Sequence, residues 1–375
     1  MASWTEYSLG QLLSYEQPTA YIVESADYND SYRTPVVTAG KTFILGYTNE
    51  DKGVYSSLPV IIFDDFTTAS KFVNFKFKVK SSAMKILTAN SELVLPKFIF
   101  YRMQIIKFDA STHKRYWIQH YSKIKVRIPP ILEQERIVAR IEELFSQLDA
   151  GVAELKTAKE RLKVYRQAVL KEAFSKFDGS IEKTISSVCE NIVDCPHSTP
   201  KWVQKGKLCL RTTNFKPGYL NLSEKNYVSE ETFCERISRL APKPGDVLFS
   251  REGAILGIAC IIPDGLEVCM GQRMMLLRPS EDLLNKYLMY YLNSPKARTL
   301  IIENVGGTAS PHINVGDIKN FTIPIIPFAQ QQSVVAEIES RLSVCDNIEK
   351  TVGTALQQAE ALRQSILKIA FEGGL

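Results

Sequence analysis

Apolar positions along this chain keep two rhythms, one helical and one of strands. From Ile137 the apolar residues step by three and four through Ile141, Leu144, Leu148, Val152, Leu155, Ala158, Leu162, Tyr165 and Val169. That spacing holds them on one narrow stripe of an α-helix. The rhythm returns at Val334, Ile338, Leu342, Cys345, Ile348, Val352, Ala355, Leu362 and Ile366. Each run follows a proline, Pro130 or Pro327, and contains none. The spacing therefore predicts two unbroken helices of roughly 40 residues, each about 60 Å long. A narrow stripe of that length needs a partner.

The two runs are copies of one segment. Phe371 lies 197 positions after Phe174, and at that offset Gln134 meets Gln331, Ile141-Glu142 meets Ile338-Glu339, Asp149 meets Asp346 and Arg166-Gln167 meets Arg363-Gln364. Two equal stripes in one chain predict that the helices pack on each other as an antiparallel coiled coil. The alternative is that each docks on its own neighbouring domain as core. Lys156, Lys159, Arg161 and Lys163 on the opposite face favour the coiled coil.

Outside the helices the apolar runs shorten and turn residues separate them. Pro35 to Thr38, Val60 to Phe63 and Phe72 to Val79 read as strands in the first segment. Leu208 to Arg211, Asp246 to Phe249, Ile255 to Ile262 and Met274 to Leu277 do so in the second, with a helix over Leu283 to Asn293. Alternation of Lys76, Lys78 and Lys80 with Phe75, Phe77 and Val79 predicts a half-buried strand with a basic outer face. The fold class is α/β: a mixed α/β segment over 1–127, a helix over 128–177, a second mixed segment over 178–322 and a second helix over 323–375.

Charge and chemistry narrow the function. Residues 1–127 carry 16 Lys+Arg against 11 Asp+Glu, which accounts for the net +5 of the whole chain. Such a mild excess permits nucleic-acid binding without demanding it. Seven cysteines without a C-x-x-C read as free thiols of a reducing cytoplasm, and Cys195-Pro196-His197 supplies too few ligands for a metal. No apolar stretch is long enough to span a bilayer, and no export signal opens the chain, so a cytoplasmic location without membrane contact is expected. Gly40-Lys41-Thr42 resembles the end of a phosphate-binding loop, but Pro35 stands where the loop needs glycine. No catalytic constellation gathers around His113, His120, His197 or His312. A binding protein is expected rather than an enzyme; a scaffold for partner proteins is the rival.

Ile128-Pro129-Pro130-Ile131-Leu132-Glu133-Gln134-Glu135-Arg136-Ile137-Val138, opening the first helix, resembles the specificity subunits of type I restriction-modification systems. Pro324 to Gln332 is a weaker second copy, with Gln330 and Ser333 at positions where the family carries a glutamate and a basic residue. Arg211-Thr212-Thr213-Asn214, Gly245 to Gly253, Gly271-Gln272-Arg273 and Gly307 to Asn314 are similar to that family's target-recognition domains. The first segment carries only a loose analogue, Pro59 to Thr68, and so reads as a different recognition subtype.

The resemblance implies two target-recognition domains separated by paired antiparallel helices, a pseudo-two-fold repeat. It implies a non-catalytic subunit that reads a split, asymmetric target on double-stranded DNA. Two modification subunits would methylate adenine N6, and restriction subunits would cleave in an ATP-dependent way. S-adenosylmethionine, ATP and Mg would all be held by those partners, none by this chain. Candidate DNA-binding residues in the second domain are Arg211, Thr213, Asn214, Ser250, Arg251, Gln272, Arg273, His312 and Asn314. Arginine suits guanine, and asparagine or glutamine suits adenine. The competing reading for Arg251 is an ion pair with Glu252 or Asp246, and for Arg273 a buried ion pair. In the first domain Thr38, Lys41, Thr67, Thr68 and Lys71 are candidates for phosphate contacts.

Overall fold

Each helical run is shared between two units of the chain, residues 1–155 with 354–375, and residues 156–353. The structure, a computed structural model, describes residues 4–109, 115–306, 311–372 and 374. His113 and the stretch 307–310 of the Gly307 to Asn314 motif lie outside the described residues.

The first unit runs β1 (Thr5–Ser8), α1 (Leu9–Leu12), β2 (Leu13–Glu16), β3 (Thr34–Val37), β4 (Ile44–Thr48), β5 (Val60–Asp64) and β6 (Ser70–Val73). It continues through β7 (Lys78–Val79), β8 (Met84–Ala89), α2 (Pro96–Met103) and β9 (Lys125–Ile128) into α3 (Ile131–Ser175). One sheet has the order β2-β8-β5-β6, a second β4-β3-β7, and β1 pairs with β9. Strand β5 shows why the core divides. Side chains alternate across a strand, so Ile61 and Phe63 pack with Phe98, Trp117 and Tyr121, while Val60 and Ile62 pack with Val37, Phe77 and Val79.

The second unit repeats this plan. After α3 come β10 (Glu182–Thr184), α4 (Ile185–Val188), β11 (Cys189–Asp194), β12 (Trp202–Val203), β13 (Lys207–Leu210), β14 (Phe215–Lys216), β15 (Tyr219–Leu220) and β16 (Tyr227–Val228). Then follow α5 (Glu230–Ile237), β17 (Val247–Ser250), β18 (Ala259–Ile261), β19 (Val268–Met270), β20 (Met274–Pro279) and α6 (Asn285–Leu292). The unit closes with α7 (Pro295–Glu303), α8 (Val315–Asn320), β21 (Thr322–Pro324) and α9 (Phe328–Phe371). The sheet β11-β20-β17-β18 matches β2-β8-β5-β6, and β10 pairs with β21 as β1 does with β9. Strands β3 and β7 are parallel, as are β13 and β19. The two segments, expected to be different subtypes, share one sheet plan.

Two expectations for strands are corrected. Phe72 to Val79 is not one strand: β6 ends at Val73, and Lys78–Val79 belongs to the other sheet, against β3. Lys78 is therefore turned inward, 3% exposed, with Glu50 at 2.6 Å. A basic outer face does not form there. In the second unit only Ala259–Ile261 of Ile255 to Ile262 is strand, because Gly257, at φ +80°, turns the chain first.

Helices α3 and α9 run 45 and 44 residues without a break. In the second unit Arg166 meets Asp346 at 2.7 Å and Glu349 at 3.0 Å, Arg341 meets Glu172 at 2.8 Å, and Lys176 meets Glu337 at 3.2 Å. As one residue number rises its partner's falls, so the helices are antiparallel. In the first unit Arg363 pairs with Asp149 and lies over the Phe145 ring at 4.3 Å. Arg363 and Asp149 are the repeat counterparts of Arg166 and Asp346, so one contact is made twice with the repeats exchanging roles. The less exposed positions of α9 run Cys345, Glu349, Val352, Leu356, Ala359, Arg363, Ile366. These alternate steps of four and three define a heptad seam. Tyr165, Ile348 and Leu362, expected in the stripe, are exposed, and Arg166, Glu349 and Arg363 take the places beside them.

The helix starts are latched identically. The Gln134 side chain accepts the Leu95 N–H at 2.8 Å and donates to the carbonyls of Leu93 and Pro129. Gln331 accepts the Leu284 N–H at 2.8 Å and donates to the carbonyls of Asp282 and Ile326. Leu95 and Leu284 are the N-cap residues of α2 and α6, so a buried amide satisfies a helix end that otherwise lacks a partner. Lys97–Glu142 and Lys286–Glu339 repeat one ion pair beside it. Phe371 meets Phe98 of α2 as Phe174 meets Tyr287 of α6, both at 5.2 Å.

Candidate nucleic-acid interface

In the second unit four chain segments come together beyond the ends of β17 and β20. The Arg251 N–H donates to the Arg273 carbonyl at 3.0 Å, the Ile313 N–H to the Arg251 carbonyl at 2.9 Å, and the Gly253 N–H to the Pro311 carbonyl at 2.9 Å. The residues around Asp194, at the end of β11, form the fourth segment. Side chains then lock the cluster. Arg251 reaches Asp194 through Nε at 2.7 Å and Nη2 at 3.0 Å, and His197 Nε2 lies 3.1 Å from the same carboxylate. Gln272 Nε2 donates to the His197 carbonyl at 2.8 Å. From α5, Arg236 donates to the carbonyls of Met270, Gly271 and Ser198, tying two of the segments together from below.

The candidates divide by exposure. Asn214, Ser250 and Arg251 are buried. Asn214 accepts the Arg211 N–H and donates to the carbonyls of Asn221 and Glu224, and Ser250 Oγ accepts the Ile258 N–H. These side chains, expected to reach a groove, are committed to holding loops. The Arg251 ion pair is with Asp194 rather than Glu252 or Asp246; Asp246 is held by Arg278 at 2.7 Å. Arg273 does face Glu252, at 3.7 Å, but its side chain is 54% exposed, so the pair is not buried. Arg211 is exposed over the Trp202 ring at 5.6 Å. Thr213 lies in the short turn below it. His312 forms backbone bridges with Glu252 and Gly306, and Asn314 stands at the N-cap position of α8 with its side-chain amide donating to the Asp317 carboxylate.

In the first unit the β5–β6 turn occupies the place of the β17–β18 loop. Asp64 Oδ1 accepts the N–H groups of Phe66 and Thr67 at 2.9 Å, shaping the turn that carries Thr67 and Thr68. Thr38 and Lys41 sit in the β3–β4 loop, where Thr38 Oγ1 accepts the Gly40 N–H. Lys71 lines a cleft with Tyr101, Gln104 and Glu142. Burial and the neighbouring Glu142 carboxylate push the Tyr101 phenol up to about 12. Among the described residues the only non-glycine positive φ angles belong to Thr68 (59°) and Arg273 (68°). Both are candidate residues, and left-handed backbone at such side chains costs on the order of 1–3 kcal/mol.

Sequence reasoning missed Asp194 and Arg236 and assigned no role to His197 in this cluster. No spacing marks Asp194 or Arg236, because Arg251 and the carbonyls that Arg236 holds are distant from them in sequence. Burial pushes the Cys195 thiol up, and among the described residues no group of His, Cys, Asp and Glu is placed to hold a metal.

The family model described as the type I restriction modification DNA specificity domain matches residues 1–159 and 196–358. The chain is 33% identical over 375 residues to the type I restriction enzyme EcoR124I/EcoR124II specificity subunit of Escherichia coli, covering 95% of this chain and 90% of that one. It is 27% identical over 273 residues to the EcoKI specificity subunit of Escherichia coli strain K12, covering 68% and 58%. Among solved structures, one from a study of complex assembly and conformational transition of the type I R-M system aligns over all of both chains, with TM-score 0.72 and 20% identity. The HsdS subunit from Thermoanaerobacter tengcongensis aligns over 99% of this chain and 97% of that one, with TM-score 0.51 and 20% identity.

Proposed function

Since the chain belongs to the family of type I restriction-modification DNA specificity subunits, we propose that it reads a bipartite, asymmetric target on double-stranded DNA. Its role is recognition rather than catalysis. Two modification subunits bound to it would methylate adenine N6 at the sites it selects, and restriction subunits would cleave in an ATP-dependent reaction. S-adenosylmethionine, ATP and Mg belong to those partners.

One observation carries the bipartite reading. The same frame is built twice, down to the three hydrogen bonds of Gln134 and Gln331, yet it carries unlike loops. Equal frames with unequal loops suit two half-sites of different sequence. Arg211, Gln272, Arg273, His312 and Asn314 are the proposed base-facing groups of the second unit, with Thr213 beside them. Thr38, Lys41, Thr67, Thr68 and Lys71 are proposed phosphate contacts, which position the unit without specifying sequence.

The test is to express the chain with its cognate adenine methyltransferase and sequence the methylated adenines. Two unlike half-sites at a fixed interval are expected. A single continuous motif, or methylation without sequence preference, would overturn the bipartite reading.

A further inference from the structure

Strands β5 and β17 end at the same place in their units and enter the same pair of backbone bonds. The Asp65 N–H donates to the Ala83 carbonyl at 2.9 Å, and the Asp65 carbonyl accepts the Tyr116 N–H at 2.9 Å. Arg251 does the same with the Arg273 carbonyl at 3.0 Å and the Ile313 N–H at 2.9 Å. Asp65 and Arg251 are therefore counterparts, although their charges are opposite. Both are buried, 2% and 7% exposed. Each ends on a residue of opposite sign within its own unit, Asp65 on Lys85 at 3.3 Å and Arg251 on Asp194 at 2.7 Å.

A side chain that reads a base edge must offer donors or acceptors outward. Arg251 spends Nε and Nη2 on Asp194, and Nη2 also lies 3.5 Å from His197 Nδ1. Asp65 Oδ1 accepts the Trp117 N–H at 2.7 Å while Oδ2 faces Lys85. A buried charge is tolerated when it is paired and hydrogen-bonded. The sign inverts between the units and the partner comes from a different strand, Lys85 from β8 and Asp194 from β11, while the backbone bonds stay; what the two positions share is a buried residue held by an opposite charge.

We propose that Arg251–Asp194 and Asp65–Lys85 are equivalent struts. Arg251 is then a positioning residue that fixes the backbone beneath Arg273, and base discrimination in the second unit falls to the base-facing groups proposed above, the exposed Arg273 among them. That base discrimination rests on the DNA-reading function proposed above; the strut itself does not.

The test uses the full chain assembled with its adenine methyltransferase, as Arg251→Gln, Asp194→Asn, the swapped pair Arg251→Asp with Asp194→Arg, and Arg273→Gln. Two measurements are made: hydrogen exchange at the Arg251 and Ile313 amides without DNA, and binding to the methylated target sequence against its single-base variants. Both single strut variants are expected to speed exchange about tenfold or more and to weaken target binding while keeping the order of preference among the variants. The swap is expected to recover slow exchange and binding. Arg273→Gln should leave exchange slow and flatten the preference at one base pair by roughly tenfold. Arg251→Gln that flattens one base pair with exchange unchanged would make Arg251 the reader. A swap that leaves exchange fast would remove the equivalence. Should the unsubstituted assembly prefer no duplex, the DNA reading falls, and the exchange data still decide the strut.

Discussion

Lys85 is 1% exposed, and its ammonium group faces Asp65 across 3.3 Å. Removing one partner of such a pair leaves an uncompensated buried charge, so Lys85→Met is expected to lower stability by about 3 kcal/mol or more. Denaturant unfolding measures it, and adding Asp65→Asn should return part of the loss. Glu182 gives a pH-dependent counterpart. The Thr322 hydroxyl, then Lys296, hold its carboxyl below the usual range. Its contribution is therefore present above the ordinary glutamate range and lost as pH falls through the lowered value. In thermal melts from neutral pH downward, the deficit of Thr322→Val is expected to shrink on acidification; a constant deficit would contradict the assignment. Motifs marked where such residues cluster but not which ones face outward. Arg251 and Arg273 look alike in the sequence, and only the fold puts Asp194 against the first and solvent beside the second.

Periodicity made the long helices legible, because a stripe every three to four residues survives any detail of packing. It failed at Tyr165, Ile348 and Leu362, where an apolar residue and a long ion-pairing side chain competed for the seam and the latter won. Gln134 and Gln331 were visible as a repeat, but not as latches, since two of the three partners of each lie far off in sequence, in the loop before α2 or α6. Either glutamine changed to alanine leaves a buried N–H and two carbonyls without partners. A loss of about 3 kcal/mol is expected for each, read by chemical unfolding, with Gln→Glu recovering little because a carboxylate cannot donate. Equal losses at both positions would support one frame used twice. The strand reading failed at Phe72 to Val79 for a different reason: apolar alternation there continued across a change of sheet.

For the whole molecule, the proposed division between phosphate and base contacts predicts distinct salt behaviour. Lys71→Ala is expected to weaken binding to every duplex and lower the slope of log affinity against log salt by about one unit, whereas Arg273→Gln should leave the slope unchanged. Fluorescence anisotropy across a salt series would show it. Lengthening both helices in register, by a few residues near Thr157 and near Thr354, is expected to change the number of unread base pairs and leave both half-sites as they were; methylome sequencing in which the half-site bases changed instead would count against the helices as spacers. The crosswise contacts of α3 and α9, Arg166 with Asp346 and Arg363 with Asp149, bind together codons that stand far apart in the gene. Among many natural sequences of this kind, a change at position 149 should be inherited with a change at 363, and one at 166 with one at 346, so that ancestry itself would carry a record of which residues touch.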